Sequence, residues 1–187
     1  MSRKPEAECH LDGLRRGMPG LTAAAGGVLA EAAAVCLERQ SHSAGVVLSI
    51  RRAYKKDIPL TWDRTTAQQR RTHNDIQEAT ESGACGVAIL LIERLARMVV
   101  IQRSRKGTYF DYWIGRASPG STLFQDSVRL EVSGILTGDE KKLDARVGQK
   151  LAQVKKAKKR LPSYVAVVEF GSPMAKVARI NAKVVRK

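Results

Sequence analysis

The chain has 187 residues, of which 43% are hydrophobic and 27% are charged, values typical of a globular domain. This composition excludes a chain too polar to bury a core. Thirty-three Lys and Arg residues against 18 Asp and Glu residues give a net charge of +15. Such a surplus attracts polyanions, and nucleic acid is the first candidate. The alternative is a basic subunit that docks on an acidic protein.

The cysteine pattern bears on the compartment in which the protein works. Cys9, Cys36 and Cys85 are widely spaced, and they fit no compact pattern of metal ligands. The first residues are polar, and no apolar run reaches the length of a membrane span. We therefore expect a cytoplasmic protein with reduced thiols and no membrane partner.

Three regions follow one another along the chain. Residues 1–20 contain several Gly and Pro residues without an apolar period, which predicts a basic flexible arm. Residues 21–71 predict a helix from about Ala23 to Gln40, with Thr22 as its cap, and then a β-hairpin. We expect the helix and the hairpin to pack on an α/β core formed by residues 72–187.

A helix predicted from about Thr72 to Arg97 opens the core, because its apolar residues recur at helical spacing. Glu81 falls in line with the apolar stripe, which is an odd position for an acid unless it faces a pocket. The alternative is a first-turn acid that the helix dipole favours. Gly83 and Gly86 lower the helix propensity but allow another backbone to approach closely.

Three strands are predicted after this helix. They span about 99–101, 109–114 and 128–135. In the third strand, period-two alternation places Glu131 and Ser133 on one face and Leu130 and Val132 on the other. We expect Glu131 and Ser133 to project away from the buried face.

Two acids of these strands are candidates for a metal site. Asp111 lies among aromatic residues, where an uncompensated charge is costly. Asp111 and Glu131 on neighbouring strands could share a divalent cation. Alternatively, Arg116 or Arg129 forms an ion pair with either acid.

The C-terminal third combines a basic helix with apolar strands. A helix is predicted from about Glu140 to Arg160, then a strand over Tyr164–Phe170, and finally a strand or short helix over about 176–185. The helix ends in a dense basic run, with more positive charge than a helix C-terminus attracts by itself. The side chains predicted to bind nucleic acid are Arg105, Lys106, Gln149, Lys150, Gln153, Lys155, Lys156, Lys158, Lys159 and Arg160.

The predicted order of helix, three strands, helix and strand resembles a known nuclease core. It is similar to the PD-(D/E)XK, or restriction-endonuclease-like, superfamily, which has a mixed sheet flanked by helices in the order αβββαβ. Residues 107–111, Gly-Thr-Tyr-Phe-Asp, resemble the glycine-led approach to the family's aspartate. Residues 130–133, Leu-Glu-Val-Ser, resemble its apolar-Glu-apolar-Lys strand. The resemblance covers about residues 72–170.

This resemblance implies a metal-dependent endonuclease. Asp111, Glu131 and the carbonyl of Val132 would hold Mg²⁺, with Mn²⁺ as a substitute, and Glu81 would orient a water or a second ion. The substrate would be nucleic acid, with DNA favoured over RNA, in a defence or repair system.

Ser133 departs from the family pattern, because a lysine usually occupies this position. A serine hydroxyl cannot supply a fixed positive charge. Lys106 and Lys150 are the candidates for the missing cation, and both are counted among the predicted catalytic residues with Glu81, Asp111 and Glu131. Two alternatives stay open: a catalytically inactive subunit that binds nucleic acid, and a protein-interaction module that meets an acidic partner or a second copy of the chain.

Overall fold

The computed structural model describes residues 8–116, 124, 126–157 and 161–181. Its helices are α1 (Ala23–Arg39), α2 (Ala67–Thr72), α3 (Ile76–Ala96) and α4 (Glu140–Lys155). Its strands are β1 (Cys9–His10), β2 (Val46–Arg52), β3 (Lys56–Thr61), β4 (Val99–Arg103), β5 (Tyr112–Gly115), β6 (Val128–Ile135), β7 (Ser163–Glu169) and β8 (Met174–Ile180). A short 3-10 helix, Leu11–Arg16, connects β1 to the segment before α1.

All the described strands belong to one mixed sheet, in the order β1-β3-β2-β8-β7-β6-β5-β4. The pairs β1/β3, β2/β8 and β6/β7 are parallel, and the other neighbours are antiparallel. The hairpin β2–β3 therefore extends the same sheet as the later strands. The predicted α/β class with a mixed sheet flanked by helices is confirmed, and α3, β4, β5, β6, α4 and β7 follow one another in the predicted order.

Helices cover both faces of the sheet. On one face, α1 and α3 pack on side chains such as Leu130 of β6 and Ala166 of β7 in the larger core cluster. On the other face, α4 packs Leu143 and Val147 on Val165 of β7. Side chains of α3 and of α4 approach each other near β5 and β6, where Asp111 and Glu131 lie.

The close contact of α1 with α3 depends on glycine. A Cβ atom on Gly83 would lie 2.8 Å from the Cα atom of Ala33, and one on Gly86 would lie 2.9 Å from the carbonyl oxygen of Leu29. Both distances are shorter than van der Waals contact, so a side chain at either position would push the helices apart. The glycines thus allow the close backbone approach that the sequence indicated.

The strand predicted over residues 109–114 begins later than expected. β5 starts at Tyr112, because Tyr109 has a left-handed backbone conformation with a φ of 67°. The amide of Ser104 donates to the carbonyl of Asp111 at 2.7 Å and closes the connection from β4. Asp111 therefore lies directly before the first residue of β5 rather than in the middle of the strand.

The face of β6 that carries Glu131 and Ser133 is buried as well, which the alternation alone did not predict. Glu131 is 2% exposed and Ser133 is 9% exposed. The alternation is present, but α4 covers this face and the α3 layer covers the other one, so β6 is buried on both sides. A strand between two helical layers has no solvent face.

The outer edge of β4 is covered by a turn near the N-terminus. The amide of Gly20 donates to the carbonyl of Val100 at 2.9 Å. A Cβ atom on Gly20 would lie 2.3 Å from the carbonyl carbon of Ile101. Only glycine fits at this contact.

Candidate functional site

Asp111 and Glu131 meet at the junction of β5 and β6. The backbone amide of Val132 donates to Asp111 Oδ2 at 2.7 Å, which directs the carboxyl group toward β6. Glu131 Oε1 accepts a hydrogen bond from Lys150 Nζ at 2.6 Å and another from Gln153 Nε2 at 3.0 Å. The sheet thus positions two acids, and α4 supplies a cation and an amide to one of them.

The environment of Glu131 favours its neutral form. Burial raises the pKa of the Glu131 carboxyl to about 7, and the charge of Asp111 acts in the same direction. The hydrogen bond and the charge of Lys150 oppose this rise in pKa. A buried carboxyl with a strongly shifted pKa beside a second acid is typical of functional sites.

A cleft of about 380 Å³ opens next to the acid pair. Its acidic wall is formed by Glu78 and Glu81 of α3 and by Asp111. Its basic walls are formed by Arg103 of β4 and by Arg146 and Lys150 of α4. Glu131 is buried and does not itself line the cleft, but it forms an ion pair with Lys150, which does. The cleft therefore combines hard oxygen donors with positively charged side chains.

Ser133 also lines the cleft, and its hydroxyl group accepts a hydrogen bond from an arginine. Arg146 Nη1 donates to Ser133 Oγ at 3.0 Å. The positive charge absent from residue 133 is thus present beside it, on α4. Lys150, one of the two predicted substitutes, lies in the same wall and bonds Glu131.

The remaining residues predicted to bind nucleic acid, where the structure describes them, do not line the cleft. Lys106 and Arg105 are exposed in the β4–β5 connection, and neither is among the described residues that line the cleft. On α4, Gln149 and Lys155 are exposed, as is Lys156 directly after it. Lys158, Lys159 and Arg160 lie outside the described residues.

Arg129 does not pair with either acid. Its Nη2 donates to the carbonyl of Leu161 at 2.9 Å, and its guanidinium lies 5.7 Å from the ring centroid of Phe110. Burial lowers its pKa. The ion pair of Arg129 with Asp111 or Glu131, considered from the sequence, is therefore wrong.

A tyrosine, a cysteine and an arginine complete the cleft, and the sequence analysis did not identify them as site residues. Arg103 Nη1 donates to Tyr112 Oη at 3.3 Å, and its guanidinium lies 5.4 Å from the centroid of that ring. The Tyr112 hydroxyl bonds Cys85, and burial raises the pKa of the thiol to about 12. Cys85 follows Glu81 by one helical turn, so helical spacing was a usable signal for it.

The site fits a hard divalent cation by its donor chemistry. Asp111 Oδ2 is engaged by Val132, and Glu131 Oε1 is engaged by Lys150 and Gln153. The carboxyl groups of Asp111 and Glu131 also share a hydrogen bond with each other, which contributes to the raised pKa of Glu131. Two adjacent carboxyl groups supply the hard oxygen ligands that Mg²⁺ prefers. The role predicted for the Val132 carbonyl stays a prediction.

A second group of potential metal ligands lies near the N-terminus. Ligand atoms of His10, Asp12 and Asp63 lie within 4.8 Å of one another. However, Asp12 already forms an ion pair with Arg15 at 2.5 Å, and the Asp63 side chain is 90% exposed. The Asp111–Glu131 cleft is the stronger metal candidate because Glu131 is buried, whereas Asp63 is exposed to solvent.

Comparisons with models of known protein families, with characterised proteins and with solved structures find no match for this chain. Among the described helices, none is both long enough and apolar enough to cross a membrane. The geometry of the cleft and the net charge of the chain are therefore the observations that bear on function.

Proposed function

We propose that this protein is a metal-dependent nuclease that cleaves phosphodiester bonds in nucleic acid. The observation that carries the proposal is the adjacency of Asp111 and Glu131 at a cleft whose other walls carry arginine and lysine. Carboxylates gather a divalent cation, while the surrounding cations attract the anionic substrate. The net charge of +15 supports a polyanionic substrate.

The division of roles follows from the contacts. A divalent cation bound by Asp111 and Glu131 would polarise the phosphodiester and lower the pKa of a bound water. Arg146, held against Ser133 at 3.0 Å, and Lys150 supply the fixed charge that the serine lacks. Glu81, an exposed residue that lines the same cleft, would orient a water.

DNA is favoured over RNA by the resemblance to restriction-endonuclease-like proteins, as is a role in defence or repair. Proteins distinguish RNA from DNA through the 2′-hydroxyl, so both nucleic acids belong in the first assay. Mg²⁺ and Mn²⁺ are the cations to supply.

The decisive test replaces Asp111 with Asn. Asn keeps an oxygen that can accept from the Val132 amide, so the β5–β6 junction should be retained, while the negative charge is lost. Asp111→Asn should abolish Mg²⁺- or Mn²⁺-dependent cleavage and leave nucleic-acid binding nearly unchanged. Glu78→Gln, on the exposed wall of the same cleft, is the matched control. Cleavage that persists in Asp111→Asn would contradict the proposal.

A second function is favoured by one observation. The short ion pair between Lys150 and Glu131, at 2.6 Å, already neutralises one acid of the pair. If this contact replaces the cation, the protein is a nucleic-acid-binding subunit or an interaction module without catalysis. Thermal unfolding separates the two functions: Mn²⁺ should raise the melting temperature of the nuclease and should leave that of a metal-free binding subunit unchanged.

A further inference from the structure

A second cavity continues the cleft described above. It has a volume of about 440 Å³ and lies between the first turns of α3 and the end of β6. Glu81 and Arg146 line both cavities, so the two form one continuous trough. Lys142, in the first turn of α4, lines the second cavity but not the first.

Each of the two cavities has a cation that does not line the other one. Arg103 lines the first cavity, and its guanidinium is held by the ring and the hydroxyl of Tyr112. Lys142 lines the second cavity, and its ammonium donates to the carbonyl of Thr137 at 2.9 Å. Neither cation forms an ion pair with a carboxylate among the described residues, and both are exposed.

Several cations elsewhere on the molecule differ in this respect. Their charges are matched by carboxylates within 3.0 Å, as in the ion pairs of Arg15, Arg16, Arg51, Arg52 and Lys176. A cation held by neutral groups keeps its charge available for an anionic ligand, whereas a paired one does not. Arg103 and Lys142 are therefore suited to phosphate contacts.

The second cavity is lined by apolar as well as charged side chains. Ile76, Ile135 and Leu136 are its apolar members. A single strand presents both phosphates and apolar base and sugar surfaces, so it can use cations and apolar side chains of one cavity together.

We propose that one strand of nucleic acid follows this trough from Arg103 to Lys142, with the acid pair between them. Arg103 and Lys142 bind phosphates on opposite sides of the scissile bond, and they act as positioning residues. The inference rests on the proposed nuclease function and adds the path of the substrate. Because the path continues on both sides of the acid pair, it accommodates an internal segment of the strand.

The test measures the salt dependence of binding. Arg103→Gln and Lys142→Gln are compared with Arg71→Gln and Lys141→Gln, which remove exposed cations of the same kinds from outside the trough. Binding of a labelled single-stranded oligonucleotide is followed by fluorescence anisotropy over a range of KCl concentrations without divalent cations. Each trough variant should lower the slope of log K against log salt by about one, and the double variant by about two.

Further measurements separate charge from folding. Arg103→Lys keeps the positive charge and should restore the slope, so a loss that persists in this variant would mean that Arg103 acts only through packing on Tyr112. In the Mn²⁺-dependent cleavage of the same oligonucleotide, the Gln variants should raise KM several-fold and leave kcat nearly unchanged.

Each outcome decides between the path and the function. Cleavage by the parent protein with unchanged slopes in Arg103→Gln and Lys142→Gln would overturn the path and leave the nuclease standing. Equal losses in the Arg71 and Lys141 variants would show diffuse binding and would also overturn the path, as would an effect confined to duplex. A parent protein that neither binds nor cleaves nucleic acid would overturn both.

Discussion

The buried carboxyl of Glu131 makes a prediction about stability and pH. Its pKa in the folded protein is about 7, against 4.5 for the free group. The folded state therefore binds more protons than the unfolded state between these values, and this contribution to stability is lost as pH rises. For one carboxyl with these two pKa values, linkage gives a loss of about 2–3 kcal/mol between about pH 5 and pH 8.

Glu131→Gln isolates this effect. Gln has nearly the same shape and cannot ionise, so the free energy of unfolding of the variant should rise relative to that of the parent protein by about 2–3 kcal/mol from pH 5 to pH 8. The difference between the two proteins is the useful quantity, because other carboxyls titrate equally in both. Urea unfolding without divalent metal measures it at each pH.

Glu78→Gln serves as the control, since it removes an exposed carboxyl from the wall of the same cleft. It should show no comparable change with pH. If the difference between the parent and Glu131→Gln stays constant to within about 0.5 kcal/mol over the whole range, the reasoning from burial is refuted.

Three further predictions concern the ion pair of Lys150, the basic run and the packing of the helices. Lys150→Met should lower the free energy of unfolding by about 1–3 kcal/mol near pH 8 and by less near pH 5, because its ammonium compensates the Glu131 carboxylate; urea unfolding with equal losses at both pH values would contradict this. Replacing four residues of the basic run with glutamine, Lys155, Lys156, Lys158 and Lys159, should weaken nucleic-acid binding and flatten its salt slope by up to about four, measured by anisotropy. An unchanged slope would mean that these lysines contact no phosphate. Gly83→Ala should destabilise the protein by about 1–3 kcal/mol through its clash with Ala33. Gly148→Ala, where nothing lies within 4 Å, should stabilise it by about 0.5–1 kcal/mol, and thermal unfolding of both variants that gave the same sign would be evidence against the packing argument.

Local patterns in the sequence were sufficient for much of the fold. The alternation over residues 128–135 predicted β6 with its observed bounds, and the cap Thr22 predicted the start of α1. These signals are local, since periodicity and capping depend on residues within one element. The order of α3, β4, β5, β6, α4 and β7 followed from the same signals.

The errors have long-range or conformational causes. The burial of Glu131 depends on α4, which is distant in sequence and covers a face that alternation assigns to solvent. The late start of β5 depends on the left-handed conformation of Tyr109, which its β propensity does not indicate. Arg103 was missed because a bulge between Val100 and Gln102 shifts the pairing of β4 with β5, so the face of Arg103 cannot be counted from the start of the strand.

The candidate site divides in the same way. The resemblance to a nuclease motif indicated four residues of the site, Asp111, Glu131, Glu81 and Lys150. In the structure, Asp111, Glu81 and Lys150 line one cleft, and Lys150 forms an ion pair with the buried Glu131. The contact of Arg146 with Ser133 joins α4 to β6 and requires the tertiary structure. No local pattern predicts that an arginine thirteen residues later bonds a strand serine.

The turn at Gly20 limits how copies of this protein can associate. An exposed outer strand is a template for intermolecular β-pairing, which leads to strand exchange or aggregation. Because Gly20 already bonds Val100 and packs on Ile101, β4 is shielded from an incoming strand at its centre. Any replacement of Gly20 would displace this turn, so the protein would become prone to self-association through the edge of β4. A homodimer of the intact protein would accordingly not be formed by a sheet continued across the centre of β4.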